Sequence, residues 1–130
     1  MQPQLNVVDS SGWIEYFLGT DRAEHFTEAL TDVSELIVPV IAIYEVNKRI
    51  TQLISASAAQ RCVQVMQKGR SMQVTESRAI AASIISIKHQ LGMADALMYG
   101  IAIEFDAQFW TQDIDYQGLN NVRYFAKPSN

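Results

Sequence analysis

The sequence has little cysteine and few basic residues. A single cysteine, Cys62, excludes an internal disulfide framework. Ten lysines and arginines stand against 14 aspartates and glutamates, and the formal net charge of −4 disfavours unaided binding to nucleic acid. The longest strongly apolar stretch, residues 36–46, is interrupted by Pro39 and Glu45, and it is far shorter than the roughly 18 residues of a membrane span. The first residues lack the features of a signal peptide. We therefore expect a cytoplasmic protein with no membrane contact.

The composition is that of a globular protein, with 48% hydrophobic and 18% charged residues. The length of 130 residues is close to the commonest size of one domain. We find no internal repeat, low-complexity tract or linker. We therefore expect residues 1–130 to form a single domain.

Short apolar strands alternate with helical patterns along the chain. The predicted strands cover residues 5–8, 36–38, 72–74, 107–111 and 122–125. Helical patterns follow residues 9–12 and cover residues 20–30, 40–54, 55–70, 75–91 and 93–105. Ser55 or Ser57 is the expected cap of the fourth helix, which should end at Gly69. This alternation predicts an α/β fold with a mostly parallel sheet and right-handed crossovers.

Three helices have apolar positions at helical spacing. These positions are Trp13, Tyr16 and Phe17 on the first, Ile43, Val46, Ile50 and Ile54 on the third, and Ile80, Ile84, Ile87 and Leu91 on the fifth. Core packing is the expected role of the aromatic positions, and contact with a protein partner is the alternative.

Four acidic residues from distant segments are candidates for one site. Asp9 and Asp113 lie at or just past predicted strand ends, Asp95 begins a helix, and Glu45 lies in the helix after the second strand. Loops at the carboxyl ends of parallel strands can meet, so these acids can converge there. Clustered carboxylates repel one another and need a positive charge to hold them together. Mg²⁺ and Mn²⁺ prefer such oxygen ligands.

No set of zinc ligands competes with these acids. His25, His89 and Cys62 lie on separate predicted helices without the spacing of metal ligands. The net charge of the whole chain equals the charge of the four carboxylates. If they form one site, the excess negative charge is local and divalent cations would offset it.

Each acid also has a structural alternative. Asp9 can cap the helix after it, and Asp95 can complement the dipole of its helix. Asp113 and Asp115 can form turns through their own side chains. Glu45 lies one helical turn before Arg49, so an ion pair on a solvated face is possible. Spacing alone does not decide among these alternatives.

The sequence around each acid resembles a motif of the PIN-domain nucleases, and in particular of the VapC-type toxins of type II toxin-antitoxin modules. The four matching segments are residues 7–14, 39–46, 92–102 and 109–116. In the first, apolar residues precede Asp9 and a hydroxyl residue follows it. The second carries Glu45, the third has the Asp-Ala-Leu start at Asp95, and the fourth has the Thr-x-Asp-x-Asp-aromatic ending. The approach to Asp95 departs mildly from the family, since the family often has a bulkier or proline-containing sequence there.

The resemblance implies a three-layer sandwich with about five short, mostly parallel strands flanked by helices. It also implies a Mg²⁺- or Mn²⁺-dependent endoribonuclease that forms a homodimer and binds a small antitoxin protein. Asp9 and Asp95 would be the main metal ligands, with Glu45 and Asp113 acting directly or through water. Asp113 would share its role with Asp115.

Supporting roles are expected for three hydroxyls and for several basic residues. Ser10, Ser11 and Thr111 would hydrogen-bond a ligand carboxylate or the phosphate, with plain capping or turn formation as the alternative. The basic residues of the central helices have two interpretations: they contact phosphates of the substrate, or they form a solvated face. These residues are Arg61, Lys68, Arg70, Arg78 and Lys88.

Other functions remain as alternatives. A catalytically weak RNA-binding or partner-binding module on the same fold is the main one. A response-regulator receiver or a haloacid-dehalogenase-type phosphatase is disfavoured, because the segment after Asp9 lacks a second acid and no suitable lysine follows Asp113.

Overall fold

The computed structural model describes residues 3–128 and forms, within that range, a five-stranded sheet with six α-helices. The strands are β1 (Asn6–Val8), β2 (Leu36–Pro39), β3 (Arg70–Met72), β4 (Gln108–Thr111) and β5 (Val122–Tyr124). The helices are α1 (Ser10–Leu18), α2 (Glu24–Thr31), α3 (Val40–Leu53), α4 (Ala56–Met66), α5 (Glu76–His89) and α6 (Met93–Glu104). Two short 3-10 helices cover Val33–Glu35 and Ile114–Tyr116.

All neighbouring strands are parallel, and their order is β3-β2-β1-β4-β5. The connections from β1 to β2 and from β2 to β3 move towards one edge of the sheet. The connection from β3 to β4 crosses back to the other side of β1. Strand order therefore reverses between β1 and β4, and this reversal opens a crevice at the carboxyl ends of those two strands.

The central strands are buried on both faces, as parallel strands usually are. Val7 and Val8 in β1, and Ile37 and Val38 in β2, are fully buried, although consecutive side chains point to opposite sides of a sheet. Helices therefore cover both faces. The predicted α/β fold with a parallel sheet of about five strands is confirmed. Across residues 3–128, no helix has both the length and the apolar character needed to cross a membrane.

The third strand differs from the prediction of the sequence pattern. The sequence pattern predicts this strand at residues 72–74, whereas β3 spans Arg70–Met72 in the structure. The helix before it, α4, ends at Met66 rather than at Gly69. Gly69 passes so close to β2 that a Cβ atom there would lie 2.8 Å from Val38 Cγ2. The chain therefore has to leave the helix before this glycine and pair with β2 directly after it.

The apolar positions of α5 also differ from the prediction. Ile80, Ile84 and Ile87 are 56%, 62% and 82% exposed, whereas Ala82 is buried and Ile85 is partly buried against the core. The helix packs on α6 through the face with the small residue, since α6 approaches closely there. Three isoleucines are consequently left on the surface.

The aromatic positions of α1 belong to the core instead. Trp13 is 1% exposed and stacks on Phe17, and Tyr16 and Phe17 are partly buried against the same core. Core packing, the expected role, is confirmed for these side chains.

Gly12 is a packing requirement of the contact between α1 and α2. A Cβ atom at this position would lie 2.7 Å from both Phe26 Cδ1 and Val8 Cγ1, inside the fully buried core. We expect Gly12→Ala to lower the free energy of unfolding by about 1 to 3 kcal/mol, because the ring and strand have to shift. Urea denaturation measures this change.

Gly92→Ala is the matched control. Among the described residues, nothing lies within 4 Å of the position that its added methyl group would take, and the φ angle of this glycine is −66°. The substitution should change stability by less than about 1 kcal/mol. Equal losses in the two variants would contradict the packing argument.

Candidate active site

Asp9 and Thr111 meet at the crevice between β1 and β4. Asp9 directly follows β1, and its backbone N–H donates to the Trp110 carbonyl at 2.9 Å. Thr111, the last residue of β4, donates its hydroxyl to Asp9 Oδ2 at 2.8 Å. The Asp9 side chain makes no capping hydrogen bond to α1, so this side chain does not act as the cap that was its structural alternative. Strand pairing therefore places this carboxylate.

Glu45 is held by the first residue of α1. Ser10 Oγ donates to Glu45 Oε1 at 2.6 Å, and the same hydroxyl lies 3.3 Å from Met98 Sδ. The alternative ion pair with Arg49 is not present among residues 3–128, where the two ion pairs are Arg22–Glu15 and Arg78–Glu104. Glu45 therefore turns towards α1 and the crevice rather than along its own helix.

Asp95 lies in the first turn of α6, as expected, so its charge also complements the helix dipole. Its backbone carbonyl accepts a hydrogen bond from the buried Tyr116 hydroxyl at 3.1 Å. Tyr116 is the last residue of the 3-10 helix that follows Asp113. This hydrogen bond therefore connects the loop that carries Asp113 to α6, which carries Asp95.

Asp113 and Asp115 lie in different surroundings. Asp113 Oδ1 accepts from the Asp115 backbone N–H at 3.0 Å, which is the turn expected as the alternative role of this aspartate. Its own N–H donates to Thr111 Oγ1 at 3.0 Å, so one threonine links Asp9 and Asp113. Asp113 also faces the crevice, whereas Asp115 is exposed and does not line it.

A cavity of about 730 Å³ occupies the crevice. All four predicted acids line it, together with two of the three predicted hydroxyls: Asp9, Glu45, Asp95, Asp113, Ser10 and Ser11. Thr111 lies behind Asp9 rather than in the wall. Ser11 Oγ is buried and has no hydrogen-bond partner among the described residues. The wall thus contains an unsatisfied hydroxyl beside the acids.

The electrostatics of the cavity are unfavourable without a counter-charge. Burial, together with the charges of Asp95, Asp113 and Glu45, raises the pKa of the Asp9 carboxyl to about 7, although the hydrogen bond from Thr111 lowers it. Burial and then the charge of Asp113 raise the pKa of Asp95. Even so, no three His, Cys, Asp or Glu side chains within residues 3–128 form a ready-made metal-binding group. The four acids line one cavity, but their side chains do not come together as a preformed metal site.

Arg22 organises the cavity wall, and nothing in its sequence context pointed to it. Its guanidinium donates to Gln112 Oε1 and to the Phe125 and Ala126 carbonyls, the latter two at 2.9 and 3.2 Å. It also lies 3.8 Å from Glu15 Oε2. A single side chain thus joins α1, the residue before Asp113 and the segment after β5.

The basic residues proposed from the sequence are not at the cavity. Arg78 makes two hydrogen bonds to Glu104 at 2.9 and 3.0 Å, and Arg70 donates to the Ser34 carbonyl. None of the five, including Arg61, Lys68 and Lys88, lines the cavity. Three other cations do, namely Lys48, Arg49 and Lys127.

The similarity to solved structures is extensive, although the identities are low. A toxin-antitoxin complex from Klebsiella pneumoniae matches with a TM-score of 0.77 and 17% identity, over 91% of this chain and 95% of the other. A DNA-bound VapBC from Salmonella typhimurium matches with 0.75 and 14%, over 95% and 98%. Mycobacterium tuberculosis VapC20, a toxin described as cleaving the sarcin-ricin loop, matches with 0.75 and 15%, over 88% and 95%.

The family comparison agrees with this shared fold. No curated protein sequence matches the chain. The model of the PIN domain family matches residues 7–121, a range that includes all four acids and reaches from β1 to the residue before β5. The chain therefore belongs to the PIN domain family.

Proposed function

We propose that this protein is a Mg²⁺- or Mn²⁺-dependent endoribonuclease and the toxin of a toxin-antitoxin pair. The observation that carries the proposal is the convergence of four carboxylates from four segments on one cavity, with no cationic side chain paired to the buried Asp9 among residues 3–128. Members of the PIN domain family are typically nucleases that use divalent metals. We further propose that residues 1–130 act as one domain in the cytoplasm.

The residues at the cavity fit a hard divalent ion. The acids and hydroxyls offer oxygen donors, whereas His25, His89 and Cys62 do not line the cavity. The raised pKa of Asp9 indicates that a positive charge in the cavity would stabilise this carboxylate, and the Ser11 hydroxyl beside it has no hydrogen-bond partner among the described residues. Asp9 and Asp95 would be the main ligands, with Glu45 and Asp113 binding directly or through water.

The surrounding residues would hold these ligands in place. Thr111 fixes one oxygen of Asp9 and leaves the other towards the cavity, and Ser10 does the same for Glu45. A bound divalent ion would lower the pKa of an attacking water and neutralise charge on the scissile phosphate. Asp113 would accept the proton of that water at Oδ2, since Oδ1 already accepts from the backbone of Asp115. Asp115 would then have only a supporting, electrostatic role.

An antitoxin and a second copy of the chain are the proposed protein partners. Structural relatives crystallised as toxin-antitoxin complexes support the first. The exposed isoleucines of α5 support the second, because the helix face between Ala79 and Ile87 carries no charge, and a contiguous apolar patch on a surface often marks an interface. The alternative function, a catalytically weak module that binds RNA or a partner, needs no metal.

Cleavage of RNA separates the two functions. Purified protein should cut labelled RNA in Mg²⁺ or Mn²⁺ and not in EDTA, and Asp9→Asn or Asp95→Asn should reduce the rate by at least about 100-fold because each removes a metal ligand. Asp113→Asn should be impaired far more than Asp115→Asn. The exposed Asp21→Asn is the matched control and should keep full activity. Unchanged cleavage in EDTA would rule out the metal mechanism.

Removal of the Asp9 charge should stabilise the metal-free protein. The carboxyl has an ordinary pKa of 3.8 and a folded pKa of about 7. Between these values the folded state binds a proton that the unfolded chain does not, so the free energy of unfolding falls as pH rises. The asparagine of the Asp9→Asn variant does not ionise and still accepts from Thr111. Above pH 7 this variant should therefore gain up to about 4 kcal/mol over the wild type, whereas near pH 4 the two should agree.

Urea denaturation in EDTA, at several pH values, measures this difference. Asp21→Asn is the control, since its side chain is exposed and does not line the cavity, and this variant should not show the gain in stability at high pH. Addition of Mg²⁺ should stabilise the wild type more than Asp9→Asn. A variant that is no more stable than the wild type at pH 8 would contradict the electrostatic argument.

The surface of α5 gives the test of self-association. Ile84→Lys should convert a dimer to a monomer in analytical ultracentrifugation, because it places a charge in the centre of the neutral face. Val65→Lys, at an exposed apolar residue of α4, is the control and should leave the assembly unchanged. A wild-type protein that sediments as a monomer at all concentrations would disprove the homodimer.

A further inference from the structure

Gln112 is a polar residue buried beside the acids. It follows Thr111, the last residue of β4, and precedes Asp113. It occupies the middle position of the Thr-x-Asp motif, so the sequence pattern assigns it no role. The residue is only 5% exposed, yet it lines the acidic cavity. The small exposed part of Gln112 therefore lies at the cavity.

The side-chain amide of Gln112 is held from one side by Arg22, whose Nε donates to Gln112 Oε1. A guanidinium group has hydrogen-bond donors and no acceptor, so it can bind only the oxygen of an amide. A flipped amide would place its NH₂ group against these donors and lose the bond. The orientation of the amide thus follows from the chemistry of its partner, and the NH₂ group is turned away from Arg22.

The arginine itself is firmly placed. Its backbone N–H donates to Thr20 Oγ1 at 3.2 Å, directly after α1. Its guanidinium also donates to the Phe125 and Ala126 carbonyls at 2.9 and 3.2 Å. Arg22 does not line the cavity, so its contact with the cavity runs through Gln112.

The NH₂ group of Gln112 is an unused donor. It makes no hydrogen bond to another residue in the described range, so none of the four carboxylates at the cavity accepts from it. A donor without an acceptor in a side chain that is almost fully buried costs free energy. An amide whose oxygen is already bound, and whose nitrogen carries two protons, is also a poor metal ligand. The group that fits it is an anionic oxygen of a ligand in the cavity.

We propose that Gln112 is a catalytic residue, whose Nε2 donates to a non-bridging oxygen of the scissile phosphate, and that Arg22 is the positioning residue that fixes its amide. This proposal rests on the proposed nuclease function and adds a group that acts on the phosphate itself. During hydrolysis the water oxygen bonds to phosphorus, the bond to the leaving ribose oxygen breaks, and that oxygen takes a proton from solvent. Negative charge on the non-bridging oxygens is stabilised by a fixed N–H donor, and Gln112 neither gains nor loses a proton.

Two substitutions separate the donor from the bond to Arg22. Gln112→Glu keeps an acceptor for Arg22 but has no N–H, and Gln112→Met removes both groups without adding a charge. Both should lower kcat for cleavage of labelled RNA by about 100-fold, with KM changed less than about threefold, because the contact strengthens in the transition state.

Each alternative explanation predicts a different result. A purely structural role of Gln112 predicts that Gln112→Glu keeps its activity, and electrostatic repulsion of the substrate predicts that Gln112→Met does. Either result would overturn the proposal. Gln108→Met is the matched control: this partly buried glutamine begins the same strand away from the acidic cavity, and the variant should keep kcat within about twofold.

A double-mutant cycle tests the role of Arg22. Arg22→Met should lower kcat by about tenfold, as the loss of an orienting partner does, and it should lower kcat no further when Gln112→Met is already present. Additive losses would contradict a role that runs through Gln112. Arg78→Met, which removes an arginine bound to Glu104 away from the cavity, is the control and should keep kcat. Thermal unfolding verifies that each variant is folded.

Nuclear magnetic resonance gives a readout that does not depend on cleavage. The side-chain NH₂ signals of Gln112 in ¹⁵N-labelled protein are identified by their absence in Gln112→Met. They should shift when inorganic phosphate is added in Mg²⁺, and should not shift with sodium chloride at the same ionic strength. Arg22→Met should reduce the shift, since its amide is no longer fixed. NH₂ signals that do not respond to phosphate would overturn the contact.

The two proposals can fail separately. Wild-type protein that cleaves RNA in a metal-dependent way, while both Gln112 variants cleave equally well, would disprove the role of Gln112 and leave the nuclease intact. A phosphate-dependent shift of the Gln112 signals in a protein that cleaves no RNA would support the phosphate contact and disprove the nuclease.

Discussion

The burial of one charged group, the Asp9 carboxylate, is the constraint on which the rest of the site depends. It lies at the end of the central strand with 5% of its surface exposed, and three more acids raise its pKa further. The fold accepts this cost because Asp9 is held from two directions: its N–H continues the pairing with β4, and its side chain accepts from Thr111. Burial of a charge without a partner costs several kcal/mol, so the position is stable only where such contacts or a bound cation compensate.

Sheet topology turns this local constraint into a site. Because strand order reverses at β1 and β4, the segments after these strands diverge and leave open space between them. The start of α6 and the middle of α3 border that space, and each brings one acid. Short polar links then connect neighbouring acids to the framework: Ser10 for Glu45, Thr111 for Asp9 and Asp113, and the Tyr116 hydroxyl for the first turn of α6. The same links that position the carboxylates also keep them from moving apart.

Local patterns in the sequence predicted most of the fold and the acidic residues of the cavity. Runs of β-branched and apolar residues located β1, β2, β4 and β5 to within about a residue, since buried parallel strands have a continuous apolar pattern. The motif around each acid indicated which of the 14 acidic residues belong together. Long-range packing was less accessible. The isoleucines of α5 follow helical spacing, yet three of them are exposed. The face of α5 that packs depends on how closely α6 approaches it, and a local sequence pattern contains no information on that distance. Likewise, Arg49 is correctly spaced for Glu45, but Ser10, 35 residues away in sequence, binds that glutamate instead.

Net charge was the least informative property for function, and the geometry explains why. An overall charge of −4 argues against a nucleic-acid surface only if the charges are evenly distributed. Here four of the acids line one cavity, where bound divalent ions would offset their charge, and three cations without an ion-pair partner in the described chain line the same cavity. The acidic composition and the proposed affinity for RNA are therefore compatible, because bound divalent ions would reduce the negative charge of the region that would repel the substrate.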